Sequence, residues 1–206
     1  MPPLKYTPDW SYERQHKGII CGVDEAGRGP LAGPVVAAAV IFRRQCPPLG
    51  LNDSKKLSHS QRERLLNDLK TSAIIGIGLS EPEEIDRINI LQASLIAMKR
   101  AIEDLETRPD IALIDGNKTP PINMPCEAII KGDARSYSIA AASIVAKVTR
   151  DHIMTRADAR FPAFGLAGHK GYPTRAHRAS VEKAGASPIH RFSFGSVKAA
   201  GRMSSS

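Results

Sequence analysis

Apolar residues near the start of the chain form two short runs that predict neighbouring strands. Residues 18–24 (GIICGVD) and 35–42 (VVAAAVIF) are rich in β-branched side chains, and a segment rich in glycine and proline separates them. Short apolar runs of this kind are typical of buried strands, and the close connection favours a hairpin.

The next part of the chain alternates between helical and strand patterns. Residues 58–61 (SHSQ) have the form of a capping box and precede leucines at helical spacing, which predicts a helix over about 58–71. Residues 73–79 predict a third strand. Apolar positions recurring every three to four residues after Pro82 predict a long helix or a helix pair that ends before Pro109.

The second half of the chain continues this alternation. Residues 110–115 (DIALID) and 127–133 (EAIIKGD) predict two more strands, and the alanine-rich segment 137–156 predicts a helix. Beyond residue 161 the chain becomes loop-like and basic, with one short helix expected between Thr174 and Gly185. Strands alternating with helices predict a single α/β domain, with the C-terminal part folded back over the sheet.

Three of the predicted strands end in carboxylates: Asp24 and Glu25 after the first, Asp115 after the fourth and Asp133 after the fifth. Ligands bind at the carboxyl ends of strands in α/β folds, so acids from different strands can converge on one spot. For any single position, a turn former or the N-cap of the next helix is an equally good interpretation. The adjacent pair Asp24 and Glu25 has no obvious capping role, which favours a functional site.

Four converging carboxylates repel one another and resist ionisation unless a cation neutralises them. Oxygen-only ligands suit hard ions such as Mg²⁺ or Mn²⁺ better than Zn²⁺. Two such ions about 4 Å apart can activate a water and stabilise the leaving oxygen of a phosphodiester. The acids therefore predict metal-dependent phosphodiester hydrolysis.

Glycine-rich and basic segments indicate what the substrate is. Residues 27–33 (GRGPLAG) do not match a dinucleotide fingerprint, because the third glycine comes one residue late and a strand follows. Glycines flanking Arg28 let the backbone approach a sugar-phosphate closely, although a tight turn is the simpler interpretation. Lys55 and Lys56 are candidates for phosphate contacts and Tyr172 for stacking on a sugar or base, against the alternatives of solvated lysines and an ordinary half-buried tyrosine.

Two further groups of residues have an open interpretation. The histidines of the C-terminal part lack a paired Ser or Cys motif and are interpreted as structural or phosphate-contacting: His169, His177 and His190. On the alanine-rich helix, Lys147 and Arg150 are candidates to face the substrate and Asp151 to support the acids. A solvated helix face explains all three equally well.

Composition and charge agree with a nucleic-acid partner. The formal net charge is +8 over 206 residues, and nucleic acid is the commonest partner of a soluble basic protein. The three cysteines are scattered, which indicates neither a zinc cluster nor a disulfide framework and fits a reducing compartment. Without a secretory signal or an apolar run of about 20 residues, we expect a cytoplasmic monomer that does not enter membranes.

Several motifs, taken together, resemble the ribonuclease HII family. They are GVDEAGRGPLAGP (22–34), DSKKLS (53–58), DG (115–116), KGD (131–133), SIAAASIVAK (138–147) and GYPT (171–174). They occur in the family's order between about residues 18 and 194. Each dipeptide alone is unspecific, whereas their joint occurrence at these spacings is highly specific.

The resemblance implies a ribonuclease H-like fold: a central five-stranded mixed sheet flanked by helices, with a helical C-terminal extension over about 160–200 that forms one wall of a substrate cleft. The catalytic domain would span 18–200, after an N-terminal extension (1–17) and before a tail (201–206) that we expect to be disordered.

The resemblance also implies roles for residues that match the family's motifs. Asp24, Glu25, Asp115 and Asp133 would be the active-site carboxylates that hold divalent ions, Mn²⁺ or Mg²⁺. Gly27, Arg28 and Gly29 resemble the segment that senses the 2′-hydroxyl at an RNA–DNA junction. Tyr172 resembles the tyrosine that packs on the following deoxyribose.

The implied activity is hydrolysis of RNA in RNA/DNA hybrids and incision 5′ of ribonucleotides in duplex DNA, leaving 3′-hydroxyl and 5′-phosphate ends. One rival is a non-catalytic nucleic-acid-binding module, which predicts that an acid is missing, since acids without metal repel phosphate. The other is a different two-metal enzyme, such as a phosphatase or a DNA nuclease, which leaves Gly27–Gly29 and Tyr172 without a role.

Overall fold

The computed structural model describes residues 6–201, and its centre is a mixed sheet of five strands in the order β3-β2-β1-β4-β5. The strands are β1 (Ile20–Ala26), β2 (Val35–Phe42), β3 (Ala73–Ser80), β4 (Ile111–Asp115) and β5 (Cys126–Ile129). The strand β2 pairs antiparallel with both β1 and β3, while β4 pairs parallel with β1 and β5. The predicted hairpin and five-stranded mixed sheet are confirmed.

The apolar run of β2 is continuous because both faces of this strand are covered. Alternate residues point to opposite sides of a sheet. Ala37 and Ala39 therefore pack into one core with the helix α2 (Pro82–Glu103), whereas Ala38 and Val40 pack into a second core with α1 (His59–Ser72) and α3 (Tyr137–Arg160). The result is a three-layer α/β domain.

The sequence signals for helix boundaries correspond to real caps. Ser58 and Gln61 form both hydrogen bonds of a capping box at the start of α1. The long helix α2 is interrupted at Asn89, which has a left-handed φ of 67°, and its side chain accepts from the amides of Leu91 and Gln92. It therefore acts as an internal cap, so the predicted alternative of a helix pair describes α2 better than one uniform helix.

The C-terminal part contains three short helices in the described residues: α4 (Leu166–His169), α5 (Arg175–Ala184) and α6 (Gly195–Ala200). Only α5 was predicted. An apolar cluster joins this part to the end of α3 and to the loop after β1; its buried members include Leu31, Met154, Phe164, Leu166, Val181 and Val197. The C-terminal part therefore packs beside that loop. Of the tail expected to be disordered, residues 202–206 lie outside the described residues.

No helix within residues 6–201 is long and apolar enough to cross a membrane. The three cysteines are free.

Candidate active site

Two neighbouring parallel strands bring the first three acids to one edge of the sheet. Val23 of β1 is paired with Ile114 of β4, so the residues that follow them, Asp24 and Asp115, are neighbours across the two strands. Glu25 comes next in β1, and its amide donates to Asp24 Oδ1 at 2.7 Å. Asp24 is only 4% exposed. The carboxyl ends of β1 and β4 thus place these acids side by side.

Asp133 reaches the same place in a different way from the one predicted. The strand β5 ends at Ile129, and Asp133 lies in a 3₁₀ turn over Gly132–Ala134. Lys131 takes a left-handed φ of 58°, which ends the extended chain, so the prediction of a strand running to residue 133 was wrong. Asp115 Oδ1 accepts hydrogen bonds from the amides of Gly132 (2.7 Å) and Asp133 (3.3 Å), which ties this turn to the end of β4.

The acids share one electrostatic environment; we call Asp24, Glu25, Asp115 and Asp133 the acid cluster. Burial, followed by the charges of Glu25, Asp115 and Asp133, raises the pKa of Asp24 well above its usual value. Burial also raises the pKa of Glu25, although the Arg28 guanidinium partly offsets the rise. Burial and then the charge of Asp133 raise the pKa of Asp115. The acids therefore favour a positive charge among them.

The donor set of the acid cluster fits a hard divalent ion. Its groups are carboxylate oxygens, and Glu25 Oε2 is buried with no hydrogen-bond partner among the described residues. The described side chains form no ready-made ligand group of three or more His, Cys, Asp or Glu residues. The fit therefore depends on the convergence of the carboxylates and on their uncompensated charge.

A lysine supplies the nearest positive charge. Lys55 is an exposed residue of the short turn Ser54–Lys56, and its Nζ is 3.2 Å from Asp133 Oδ2. Burial lowers the pKa of Lys55, but the carboxylate of Asp133, with help from Asp24, outweighs that effect, so the net pKa shift is upward. Lys56 follows in the same turn and is exposed. Of the two predicted lysines, the structure thus brings Lys55 to the acids.

The loop after β1 borders the acid cluster; we call residues 27–33 the glycine–arginine loop. Arg28 is half exposed, and its Nη1 lies 3.4 Å from Glu25 Oε1. Gly27 has a φ of 101°, and a Cβ there would clash with the side chain of Arg150, whereas a Cβ at Gly29 would meet nothing within 4 Å. Gly27 is thus required by the fold, while Gly29 leaves open space beside Arg28.

Two fully buried arginines hold this loop from behind, a role that the sequence pattern does not predict. Arg191 donates to the carbonyls of the loop itself: Gly27, Arg28, Pro30 and Gly33, at 2.6 to 3.0 Å. Arg150 donates to the carbonyls of Ala32, Pro34 and Lys170, each at 3.0 Å. Burial, then the charge of Arg150, lowers the pKa of Arg191 to about 9. Seven carbonyl oxygens therefore solvate these two charges.

The alternative of a solvated face on the alanine-rich helix was wrong for Arg150 and Asp151, which are 0% and 4% exposed. The other alternative, that Arg150 faces the substrate, was also wrong, because its guanidinium is buried against three backbone carbonyls. The signal for Arg150 was available, since it continues the buried positions Ala146, Met154 and Ala157 at spacings of three and four residues. Asp151 accepts from Lys147 Nζ at 2.8 Å, so its side chain pairs with a lysine of the same helix.

Tyr172 stands beside these arginines with its ring partly in solvent. It is 39% exposed, and Lys147 Nζ and Arg150 Cζ lie 5.5 and 5.7 Å from the ring centroid. Its carbonyl oxygen is 3.0 Å from Nδ1 of His177, a buried side chain. The tyrosine is therefore anchored through its backbone while its ring remains accessible.

The three histidines form a connected structural relay. The amide of Ser187 donates to Nδ1 of His190, so a neutral His190 carries its proton on Nε2 and donates to His177 Nε2 at 3.1 Å. His177 then donates from Nδ1 to Tyr172. His169 stacks on His177 with ring centroids 4.3 Å apart. Of the two interpretations left open, the structural one is right for the fully buried His177 and His190.

Comparison with known proteins decides the family. The model of the ribonuclease HII family matches residues 21–197. The chain belongs to the ribonuclease HII family. Ribonuclease HII of Maricaulis maris is 56% identical over 182 residues, covering 88% of this chain and 84% of that protein. Ribonuclease HII of Dechloromonas aromatica is 53% identical over 181 residues, covering 87% and 92%.

Solved structures agree on the architecture. The crystal structure of ribonuclease H2 from Pyrococcus horikoshii has a TM-score of 0.74 at 27% identity and covers 88% of this chain and 96% of that one. A crystal structure of Bst-RNase HIII in complex with Mn²⁺ has a TM-score of 0.67 at 17% identity, covers 88% and 68%, and shares the fold. The family and the fold thus identify a ribonuclease H-type hydrolase that acts on RNA/DNA hybrids.

Proposed function

We propose that this enzyme incises duplex DNA on the 5′ side of an embedded ribonucleotide, in addition to cutting the RNA strand of hybrids, and leaves 3′-hydroxyl and 5′-phosphate ends. The observation that carries the proposal is the convergence of four carboxylates, where burial and mutual repulsion raise the pKa of Asp24, Glu25 and Asp115, directly beside the half-exposed Arg28. A phosphodiester placed between the acid cluster and Arg28 would have its negative charge balanced by the bound ions on one side and by the guanidinium on the other.

Asp24, Glu25, Asp115 and Asp133 would hold two divalent ions, Mg²⁺ or Mn²⁺. These ions, when bound, would supply the Lewis acidity that phosphodiester hydrolysis requires. The protein keeps the carboxylates in place: the amides of the Gly132–Ala134 turn hold Asp115, and the strand pairing of β1 and β4 fixes Asp24 beside it. Lys55, now bonded to Asp133, keeps a positive charge at the rim, where it can meet a phosphate.

Recognition of the ribonucleotide would come from the glycine–arginine loop and Tyr172. Arg191 donates hydrogen bonds to four carbonyls on the inner side of the loop, which holds the loop backbone in one conformation. Arg28 and the open space at Gly29 would contact the edge of the ribose. The accessible ring of Tyr172 would stack on the next sugar. A phosphatase or a DNA nuclease would have no use for this pair of features.

The test is cleavage of three labelled duplexes of the same sequence: all DNA, DNA with one ribonucleotide, and an RNA/DNA hybrid. Each is incubated with Mg²⁺, with Mn²⁺ or with a chelator, and the product ends are mapped. We expect an ion-dependent cut 5′ of the ribonucleotide and no cut in the all-DNA duplex. Equal cutting of the all-DNA duplex, or a hybrid cut with the single-ribonucleotide duplex left intact, would contradict the proposal.

A further inference from the structure

The described part of the N-terminal segment, residues 6–16, lies against the residues that follow the Asp133 turn; we call it the N-terminal strap. The Asp9 amide donates to the Arg135 carbonyl, and the Tyr137 amide donates to the Asp9 carbonyl, both at 3.2 Å. The Trp10 ring lies 5.1 Å from the ring of Tyr137, centroid to centroid. The strap thus pairs with the junction between the turn and α3.

A buried carboxylate of the strap completes the start of α3. Glu13 is 4% exposed, and its Oε1 accepts from Ser136 Oγ (2.6 Å), Ser138 Oγ (2.6 Å) and the Ser138 amide (2.9 Å). Ser136 is the N-cap of α3 and also accepts from the Ile139 amide. A negative charge at this end of a helix is stabilised by the unpaired amides and the helix dipole. Glu13 therefore fixes the first turn of α3 in place.

That first turn is joined to Asp133 through a very short connection. The amides of Arg135 and Ser136 both donate to the Gly132 carbonyl at 2.9 Å, so the chain between Asp133 and the N-cap is a closed turn. The same turn gives two amides to Asp115. On the outer side, the Arg135 guanidinium lies 4.9 Å from the Tyr12 ring centroid. Because the turn is this short, a shift of the α3 terminus moves Asp133 relative to Asp115.

We propose that the N-terminal strap positions Asp133 for ion binding, with Glu13 as its principal positioning residue. The strap acts through Ser136, Ser138 and the Gly132–Ala134 turn and touches neither ion nor substrate. The inference rests on the proposed function only in taking Asp133 as an ion ligand. It gives residues before the matched family region, which begins at Cys21, a part in forming the site.

The experiment compares Glu13→Ala and Glu13→Gln with the wild type in the full chain. Mn²⁺ binding is measured by calorimetry without substrate, and the Mn²⁺ concentration for half-maximal cleavage is measured with a hybrid. Loss of a group that positions a metal ligand typically lowers the affinity for the ion. We therefore expect about tenfold weaker Mn²⁺ binding for Glu13→Ala. Glu13→Gln keeps an oxygen for the same three donors, so it should stay within about threefold of wild type.

The matched control is Glu84→Gln, which removes a carboxylate that pairs with Arg100 (2.6 and 2.9 Å) on the far helix α2. Its Mn²⁺ affinity should equal that of wild type, and the Michaelis constant for the hybrid should change little in any variant. If removing a structural carboxylate anywhere in the fold lowered Mn²⁺ affinity, the control would lose affinity as well, and glutamine at position 13 would not restore it.

Unchanged Mn²⁺ affinity in folded Glu13→Ala overturns the inference and leaves the proposed function standing. A wild type that binds Mn²⁺ but does not cut contradicts the proposed function, while a tenfold loss in the variant still supports the strap. A wild type that binds no Mn²⁺ overturns both. If Glu13→Ala does not fold, Ser138→Ala removes one of the three donors and should weaken Mn²⁺ binding about threefold, and unchanged affinity there also overturns the inference.

Discussion

The acid cluster and the glycine–arginine loop lie side by side, and both involve buried charge, but the charge is compensated in opposite ways. Arg150 and Arg191 are fully buried, and seven backbone carbonyls surround them. The acids receive a few amide bonds and the charges of Lys55 and Arg28, and Glu25 Oε2 has no hydrogen-bond partner within residues 6–201. Satisfied charges stabilise structure, whereas uncompensated ones retain affinity for an ion.

The way each buried charge is compensated determines which substitutions should harm activity and which should harm folding. Removing an acid relieves repulsion, so the fold should tolerate the change while the chemistry does not. Removing a buried arginine leaves several carbonyls without donors, so the fold should suffer first.

The largest expected effect is on turnover in Asp115→Asn. The amide oxygen can still accept from Gly132 and Asp133, but the negative charge needed for an ion is gone. We expect cleavage of a hybrid to fall by at least about a thousandfold, as for other residues of a catalytic unit. Hybrid binding at low salt should remain measurable, and the midpoint of thermal unfolding should be equal or higher. Near-normal turnover would remove Asp115 from the site.

The second effect is on stability in Arg191→Lys. A lysine cannot reach four carbonyls in the fixed geometry of the guanidinium, and each unsatisfied buried carbonyl costs about 1–3 kcal/mol. We expect the free energy of unfolding, measured in urea, to fall by about 3 kcal/mol or more. Arg178→Lys, at an exposed position of α5, is the control and should change little. A stable Arg191→Lys variant would mean that the carbonyls find other donors and that the two regions differ less than proposed.

The sequence predicted the parts of this arrangement that depend on local pattern. The two faces of β2, the capping box at Ser58 and the position of three acids at strand ends follow from period and end signals. Asp133 was placed with the other acids, but in a strand instead of a turn. The turn depends on the left-handed backbone of Lys131 and on the Gly132 amide that donates to Asp115, and this contact is between residues far apart in the chain. The role of Arg191 requires knowledge of carbonyls some 160 positions away in the chain, which no local pattern contains.

A third effect tests substrate discrimination at the border between the two regions. In Tyr172→Ala the stacking surface is lost, which is worth about 1–3 kcal/mol per base in single-strand binding. We expect the preference for a single-ribonucleotide duplex over a uniform hybrid, as a ratio of kcat/KM, to fall about tenfold. Tyr172→Phe keeps the ring and should keep the ratio. Arg28→Ala should also reduce this ratio, and an unchanged ratio in both alanine variants would remove them from ribonucleotide sensing.

The smallest effect concerns the histidine relay that anchors Tyr172. Burial, then the charge of His177, lowers the pKa of His190 to about 4, below the value of about 6.5 for an exposed histidine. Between pH 6.5 and 4 the unfolded chain therefore binds a proton at His190 that the folded chain does not bind. The contribution of the neutral ring to the free energy of unfolding is complete above pH 6.5 and is lost as the pH falls toward 4. We expect the thermal midpoint to fall by about 5 °C between pH 6.5 and 5. His190→Asn should start less stable and change less over this window, because it has no ring to protonate. An equally steep fall in that variant would assign the acid sensitivity to other groups, among them His177, whose pKa is also lowered by burial.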